Sequence, residues 1–189
     1  MNQRSLTIIT VVIVLLIAAG AGGWYYLHPS KQLQSASQSP VIGKATVGAT
    51  APQFEVATTA GLFDLAKADK PVFLEIFATW CPHCQRETAV IDKLYAKYRS
   101  QMDFVGVSGS DTAMDGTSAS SQNDVLAWIK KFDVKYPVGY DPLTAVSDLY
   151  LQGGFPTIAV IDKSKTIVYL NSGEIGYDEL AAAIEKALQ

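Results

Sequence analysis

The sequence predicts an α/β domain in which a mixed central β-sheet is flanked by helices. Three observations predict it. The runs Val72–Phe77 and Phe104–Ser108 are almost continuously apolar, as strands buried on both faces are. Between them Val90, Ile91, Leu94, Tyr95 and Tyr98 recur at helical spacing, so strand, helix and strand form a right-handed βαβ unit with a parallel pair. Further on, Thr157–Ile161 turns through Asp162–Lys165 into the alternating run Thr166–Leu170, which adds an antiparallel pair.

Size and charge narrow the functions open to the chain. It has 189 residues, enough for one domain, and a net charge of −3 that gives no hint of a nucleic-acid partner. Two cysteines and two histidines cannot make a disulfide scaffold and are a poor set for a four-ligand zinc site. Two cysteines three apart can do redox chemistry.

Leu6 to Gly23 is a run of about 18 residues without a charge, reaching about 22 if extended to Leu27. At about 1.5 Å per residue this matches a hydrocarbon core of about 30 Å. Arg4 precedes the run, and Trp24, Tyr25 and Tyr26 follow it as an interfacial belt. Residues 1–28 therefore read as a transmembrane signal-anchor; the competing reading is a signal peptide cleaved after Ala19-Gly20-Ala21. Either way Arg4 holds the N-terminus in the cytoplasm and the rest of the chain is exported, a weak vote because Lys31 lies on the other side. Residues 29–46, rich in Ser, Gln, Pro and Ala, read as a flexible linker, with an ordered strand around Val41-Ile42 as the alternative. Residues 47–189 read as the folded domain.

That domain opens with Val47–Val56, which ends in a short alternating strand, and Thr58–Gly61 turns it into Leu62–Leu65 to make a hairpin. A helix runs from Cys81 to about Tyr98, with Arg86, Asp92, Lys93 and Lys97 on its wet side. Gly109 to about Gln122 is small, polar and aperiodic: a long loop, either a mobile lid or plain connection. Asn123 or Asp124 caps a helix through about Phe132, with Val125, Leu126, Trp128 and Ile129 apolar. Tyr136–Tyr140 is a short strand and Ala145–Tyr150 a short helix. Asp178 caps the last helix, on which Leu180, Ile184 and Leu188 share a face.

Both cysteines fall where the central strand meets its helix, in Phe77-Ala78-Thr79-Trp80-Cys81-Pro82-His83-Cys84. A Cys-x-x-Cys on a strand-to-helix turn reads as a redox motif. Pro82 suits the first helical position, where the missing N–H would have no partner. Cys81 then meets free backbone N–H groups and the positive end of the helix dipole, which stabilise a thiolate. Cys84 lies one turn deeper on the same side, within the roughly 5.5–6 Å Cα separation that a disulfide needs. His83 is placed to add positive charge. Cys81 is thus the expected nucleophile and Cys84 its resolving partner. Buried structural cysteines, or copper(I) bound by both thiolates with help from His83, are the alternatives.

This stretch resembles the thioredoxin superfamily, and within it the membrane-anchored TlpA/ResA-like thiol-disulfide oxidoreductases, over roughly Val47 to Gln189. The resemblance implies a thioredoxin-like fold with an N-terminal β-hairpin and a helical insertion. It implies protein disulfide or dithiol clients, a membrane thiol-transfer partner and no organic cofactor. Pro156, in Phe155-Pro156-Thr157, matches the cis-proline that faces the thiols; with Phe155, Trp80, Pro82 and His83 it makes the expected client-binding surface. Glu75, six residues before Cys81, matches a buried acid that relays the proton of Cys84. An unpaired carboxylate among Val72, Phe73, Leu74, Ile76 and Phe77 is costly, so the plainer reading is an acid paired with a lysine or facing solvent. Glu87, three residues past Cys84, matches an acid close to the thiols, with a helix-dipole partner as the plainer reading. A peroxiredoxin-type peroxidase needs Thr or Ser where Ala78 stands. The TlpA/ResA-like branch implies reduction of clients such as apocytochrome c or a copper-site protein. The Pro-His dipeptide is shared with strong oxidants, so a disulfide-forming oxidant and a copper(I) carrier are the alternative functions.

Overall fold

The computed structural model describes residues 43–189. The expected anchor at 1–28, most of the expected linker and the alternative strand at Val41-Ile42 lie outside the described residues. Among the described residues no helix is long and apolar enough to cross a membrane.

The central strand is β3 (Val72–Phe77), and all six of its residues are buried. Its parallel neighbour β4 (Asp103–Ser108) is reached through α1 (Pro82–Tyr98), the expected βαβ unit. On the other side of β3 run β6 (Thr157–Ile161) and then β7 (Ile167–Ser172), each antiparallel to its neighbour. Outside β4 lies parallel β5 (Val138–Tyr140), and the hairpin of β1 (Glu55–Thr58) and β2 (Gly61–Asp64) completes the sheet. The strand order is β2-β1-β5-β4-β3-β6-β7. Helices α2 (Gln122–Phe132) and α3 (Ala145–Tyr150) precede and follow β5, and α4 (Tyr177–Ala187) closes the fold.

The twofold period of a strand sends Phe73, Glu75 and Phe77 to one face of β3 and Val72, Leu74 and Ile76 to the other. The first face meets Ile91 and Leu94 of α1, Trp128 of α2 and Ile184 of α4, with Trp128 stacked on Phe77 at 4.2 Å. The second meets Phe54, Val146 and Tyr150. Each fully buried Ile, Leu or Phe in these layers contributes about 1.5–3 kcal/mol. One polar side chain, that of Glu75, therefore stands on the α1 side of a strand that is otherwise apolar.

Several boundaries move from their expected places. The cap of α2 is Ser121, whose Oγ accepts from the Asp124 N–H at 3.2 Å, because Asp124 is drawn inward to other partners. Leu126, expected on the apolar side of that helix, is exposed. Asp178 lies inside the first turn of α4, behind a Gly176 cap that has no side chain to offer. Tyr136 precedes β5 and turns into the core. Ala45, inside the expected linker, is buried and donates its N–H to Leu149 O at 2.8 Å, so ordered chain begins before Val47. The 109–121 loop is tied down: Thr112 and Ala119 form an isolated bridge, and the Ala113 N–H donates to Ser118 O at 2.8 Å.

Candidate active site

The thiols lie where β3 gives way to α1. Cys81 is the N-cap, with extended backbone at φ −74 and ψ 118, and Pro82 follows at the head of the helix. The Cys81 Sγ accepts from the Cys84 N–H at 3.4 Å, so sulfur takes the capping position that a serine or aspartate oxygen usually fills. The same Sγ lies 3.4 Å from the Phe155 carbonyl oxygen, to which its thiol donates. Both cysteines are free thiols, Cys81 4% exposed and Cys84 0%. The order of access is the expected one, but Cys81 is far more enclosed than a bare helix end, because the Phe155 loop lies against it.

That loop carries the Phe155–Pro156 peptide in the cis form that the resemblance implies. The Gly173 N–H donates to Pro156 O at 2.8 Å, which joins the turn between β7 and α4 to the same rim. Trp80 stands on another side, half-exposed, its ring edge-on to Phe155 at 6.0 Å and its Nε1 donating to Ser110 Oγ at 2.9 Å. Behind it Thr79 Oγ1 donates to Asp124 Oδ2 at 2.6 Å, while Asp124 Oδ1 accepts from the Met114 N–H at 3.0 Å. Two ties thus hold the 109–121 loop to the strand end that presents the thiols. Pro82 and His83 are exposed on the helix tip.

Glu75 is 0% exposed, and among the described residues no lysine partners it. Tyr136 donates its hydroxyl to Oε2 at 2.7 Å, and Oε1 has no partner. The residue opposite Glu75 on β4 is Gly106. A Cβ there would meet Tyr136 Cε2 at 2.8 Å and Glu75 Oε2 at 3.3 Å, so glycine leaves the space in which acid and phenol meet. Burial pushes the Glu75 carboxyl up to about 8; the Tyr136 hydrogen bond opposes this, and the charges of Glu87 and Asp92 add to it. Burial also pushes the Cys84 thiol far above the ordinary range, and the Glu75 charge pushes it further. At neutral pH the deeper cysteine is a thiol beside a largely protonated acid.

Glu87 belongs to the buried stripe of α1, in line with Cys84, Ile91, Leu94 and Tyr98, so it is no solvent-facing dipole partner. Its Oε2 accepts from the Ile175 N–H at 3.0 Å and its Oε1 has no partner. Burial pushes its carboxyl up to about 7, against the pull of the Ile175 N–H.

His83 departs from expectation. Its Nδ1 lies 3.0 Å from Glu174 Oε2 and 2.8 Å from Arg86 Nη2. Arg86 in turn donates Nη2 to Glu174 Oε2 at 2.6 Å and Nε to both carboxylate oxygens at 3.1 Å. Arg86, with His83 second, holds the Glu174 carboxyl down at about 2. The imidazole is engaged by Glu174 and Arg86 rather than standing free beside Cys81. Sequence reasoning missed Glu174, Tyr136, Ser110 and the inward role of Asp124. None of these announced its role locally, whereas the burial of Glu87 was signalled by its place three residues after Cys84 and four before Ile91.

Fold and dithiol together define a thioredoxin-like thiol-disulfide oxidoreductase, an enzyme that works by exchanging disulfides. Residues 46–184 match the Redoxin family, and the chain belongs to it, among its TlpA/ResA-like members. The thiol-disulfide oxidoreductase ResA of Bacillus cereus is 32% identical over 147 residues, which cover 76% of this chain and 79% of that one. ResA of Oceanobacillus iheyensis is 32% identical over 143 residues, covering 71% and 69%. Among solved structures, the thioredoxin domain of a thiol-disulfide oxidoreductase from Bacteroides vulgatus has a TM-score of 0.62 at 22% identity, covering 77% of this chain and 100% of that one. The structure of MTB dsbF in mixed oxidized and reduced forms has a TM-score of 0.60 at 26% identity, covering 72% and 96%.

Proposed function

We propose that this chain is an exported, membrane-anchored oxidoreductase that reduces disulfides in client proteins. Cys81, as thiolate, attacks one sulfur of the client disulfide; the other client sulfur leaves and takes up a proton. In the minority form whose Glu75 is ionised near neutral pH, Cys84 gives its proton to that carboxylate and attacks Cys81 Sγ; the second client sulfur leaves as a thiolate that takes up a proton, and the Cys81–Cys84 disulfide closes. Two electrons pass from the dithiol to the client, and a membrane thiol-transfer partner restores them. Phe155, Pro156 and Trp80 supply the surface along which an extended client segment lies, backbone pairing giving affinity as in strand addition.

The observation that carries the reducing direction is the burial of Cys84 beside an acid, which disfavours its thiolate. Glu75 and Glu87 are buried behind it, and His83 is engaged by Glu174. A dithiol whose deeper thiolate is disfavoured by burial gives up its electrons more readily, whereas oxidants of this kind owe their strength to a stabilised reduced form. Support for the anchor is the uncharged run from Leu6 to Gly23 with the aromatic residues beyond it.

The direction is tested by equilibrating the full-length chain, in detergent, with glutathione redox buffers. A potential below about −220 mV is expected, and one near about −120 mV assigns oxidation instead. Mass spectrometry of the mature protein tests the anchor, since an N-terminus at Gly22 would mean a cleaved signal peptide.

A further inference from the structure

We propose that Glu174 is a positioning residue for the redox pair: by holding His83 in a cluster with Arg86, it keeps the Cys81–Cys84 dithiol more reducing than it is with His83 released. This rests on the reading of Cys81 and Cys84 as a redox pair.

Glu174 is 91 residues from His83 in sequence, and the fold delivers it to the first turn of α1. The turn that carries it is pinned on both sides. The Gly173 N–H donates to Pro156 O at 2.8 Å, and the Ile175 N–H donates to Glu87 Oε2 at 3.0 Å. The carboxylate is thus presented from a backbone with little freedom to drift, although its side chain is 41% exposed.

Two partners address the same imidazole nitrogen. Arg86 has only donors and needs the lone pair of Nδ1, whereas Glu174 accepts and needs an N–H there. Whichever proton state His83 takes, one of the two receives it, so the ring keeps its place. The charge count follows. Arg86 is permanently positive and Glu174 cancels it, leaving the cluster neutral around a neutral imidazole and singly positive around a charged one. Without Glu174 each of these totals rises by one positive charge, two residues along the helix from Cys81. Positive charge there favours a thiolate and stabilises the reduced pair, which makes it a weaker reductant. Solvent screens the cluster, so the effect is a few-fold one and fades with salt.

The test is the equilibrium of the full-length chain with glutathione, in which one protein disulfide and two glutathione thiols become the protein dithiol and glutathione disulfide. Glu174→Gln keeps the shape and removes the charge. Its equilibrium constant is expected to rise about three- to tenfold at low ionic strength, about 14–30 mV for a two-electron couple, and to fall back in about 1 M salt. In a His83→Gln background the rise should shrink by the part that a released imidazole contributes, while the part due to the uncancelled Arg86 remains. Arg86→Gln should move the constant downward, and it carries the test should Glu174→Gln fail to fold. A purely structural role would lower the denaturation midpoint and leave the constant alone. An unchanged constant in Glu174→Gln, or an equal rise with His83 removed, overturns the inference. A wild-type chain that never forms its Cys81–Cys84 disulfide overturns the redox pair itself, and that result is read before any variant.

Discussion

Tyr136 donates its hydroxyl to Glu75 across 2.7 Å and 61 residues of sequence, with both side chains buried. One carboxylate oxygen is thereby fixed, and the other is left without a partner to take and return a proton.

Glu75→Gln keeps the shape of this pair and ends its proton exchange. Attack by Cys81 should proceed at a near-normal rate, while resolution by Cys84 slows by about one to two orders of magnitude. Stopped-flow resolution of a preformed mixed disulfide near neutral pH measures this. Stability should rise or hold level, because a buried ionisable group is removed. An unchanged resolution rate with a large loss of stability would show an acid that is merely structural.

The raised carboxyls also set a pH dependence of stability. Glu75 moves from 4.5 unfolded to about 8 folded, and Glu87 from 4.5 to about 7. Within those windows the native state binds more protons than the unfolded one, so stability is greatest below about pH 4.5 as far as these groups are concerned. It is lost as pH rises through the folded values, on the order of a few kcal/mol for the pair. Denaturant midpoints of the reduced protein should fall between pH 5 and 8, and Glu75→Gln should flatten much of that slope. A midpoint that climbs over this range in the wild type contradicts the assignment.

Cys84→Ser should accumulate mixed disulfides with client proteins, whereas Cys81→Ser should trap none, since only Cys81 lies at the helix tip against the Phe155 loop. Non-reducing gels of cell-envelope extracts report it. Equal trapping by both variants would reverse or erase the assigned roles.

Asp124→Ala removes the acceptor shared by Thr79 Oγ1 and the Met114 N–H. A loss of about 1.5–3 kcal/mol is the scale for hydrogen bonds to a charged group. Turnover of a protein disulfide should fall more than that of a small one, because the freed loop also carries Ser110, the partner of Trp80. Equal losses on both substrates would confine Asp124 to stability.

What the sequence made legible was local. Ala145–Tyr150 and Thr157–Ile161 lie where the apolar pattern puts them, and the Cys-x-x-Cys with its proline marks the junction of β3 and α1. Glu75 stood out because a charge within an apolar run has few physical explanations. Tyr136, Gly106 and Glu174 gave no comparable sign. Each reaches the site by topology alone: Tyr136 from the segment just before β5, Gly106 by its register opposite Glu75, and Glu174 on a turn after the last strand. Asp124 misled for a related reason, since a short acid at a helix start reads equally well as a cap.

The hairpin of β1 and β2 meets the rest of the sheet through a single ladder pair, Thr58 with Gly139, where a Cβ on the glycine would come within 2.7 Å of Val56. The Thr59 N–H adds one bond to Val138 O at 2.9 Å. Such a seam is a natural line of sub-global opening: amide protons of β1 should exchange with solvent well before those of β3 and β4. The five strands from β5 to β7 that cradle the thiols would stay closed meanwhile, so the enzyme can breathe at one edge without disturbing its chemistry at the other.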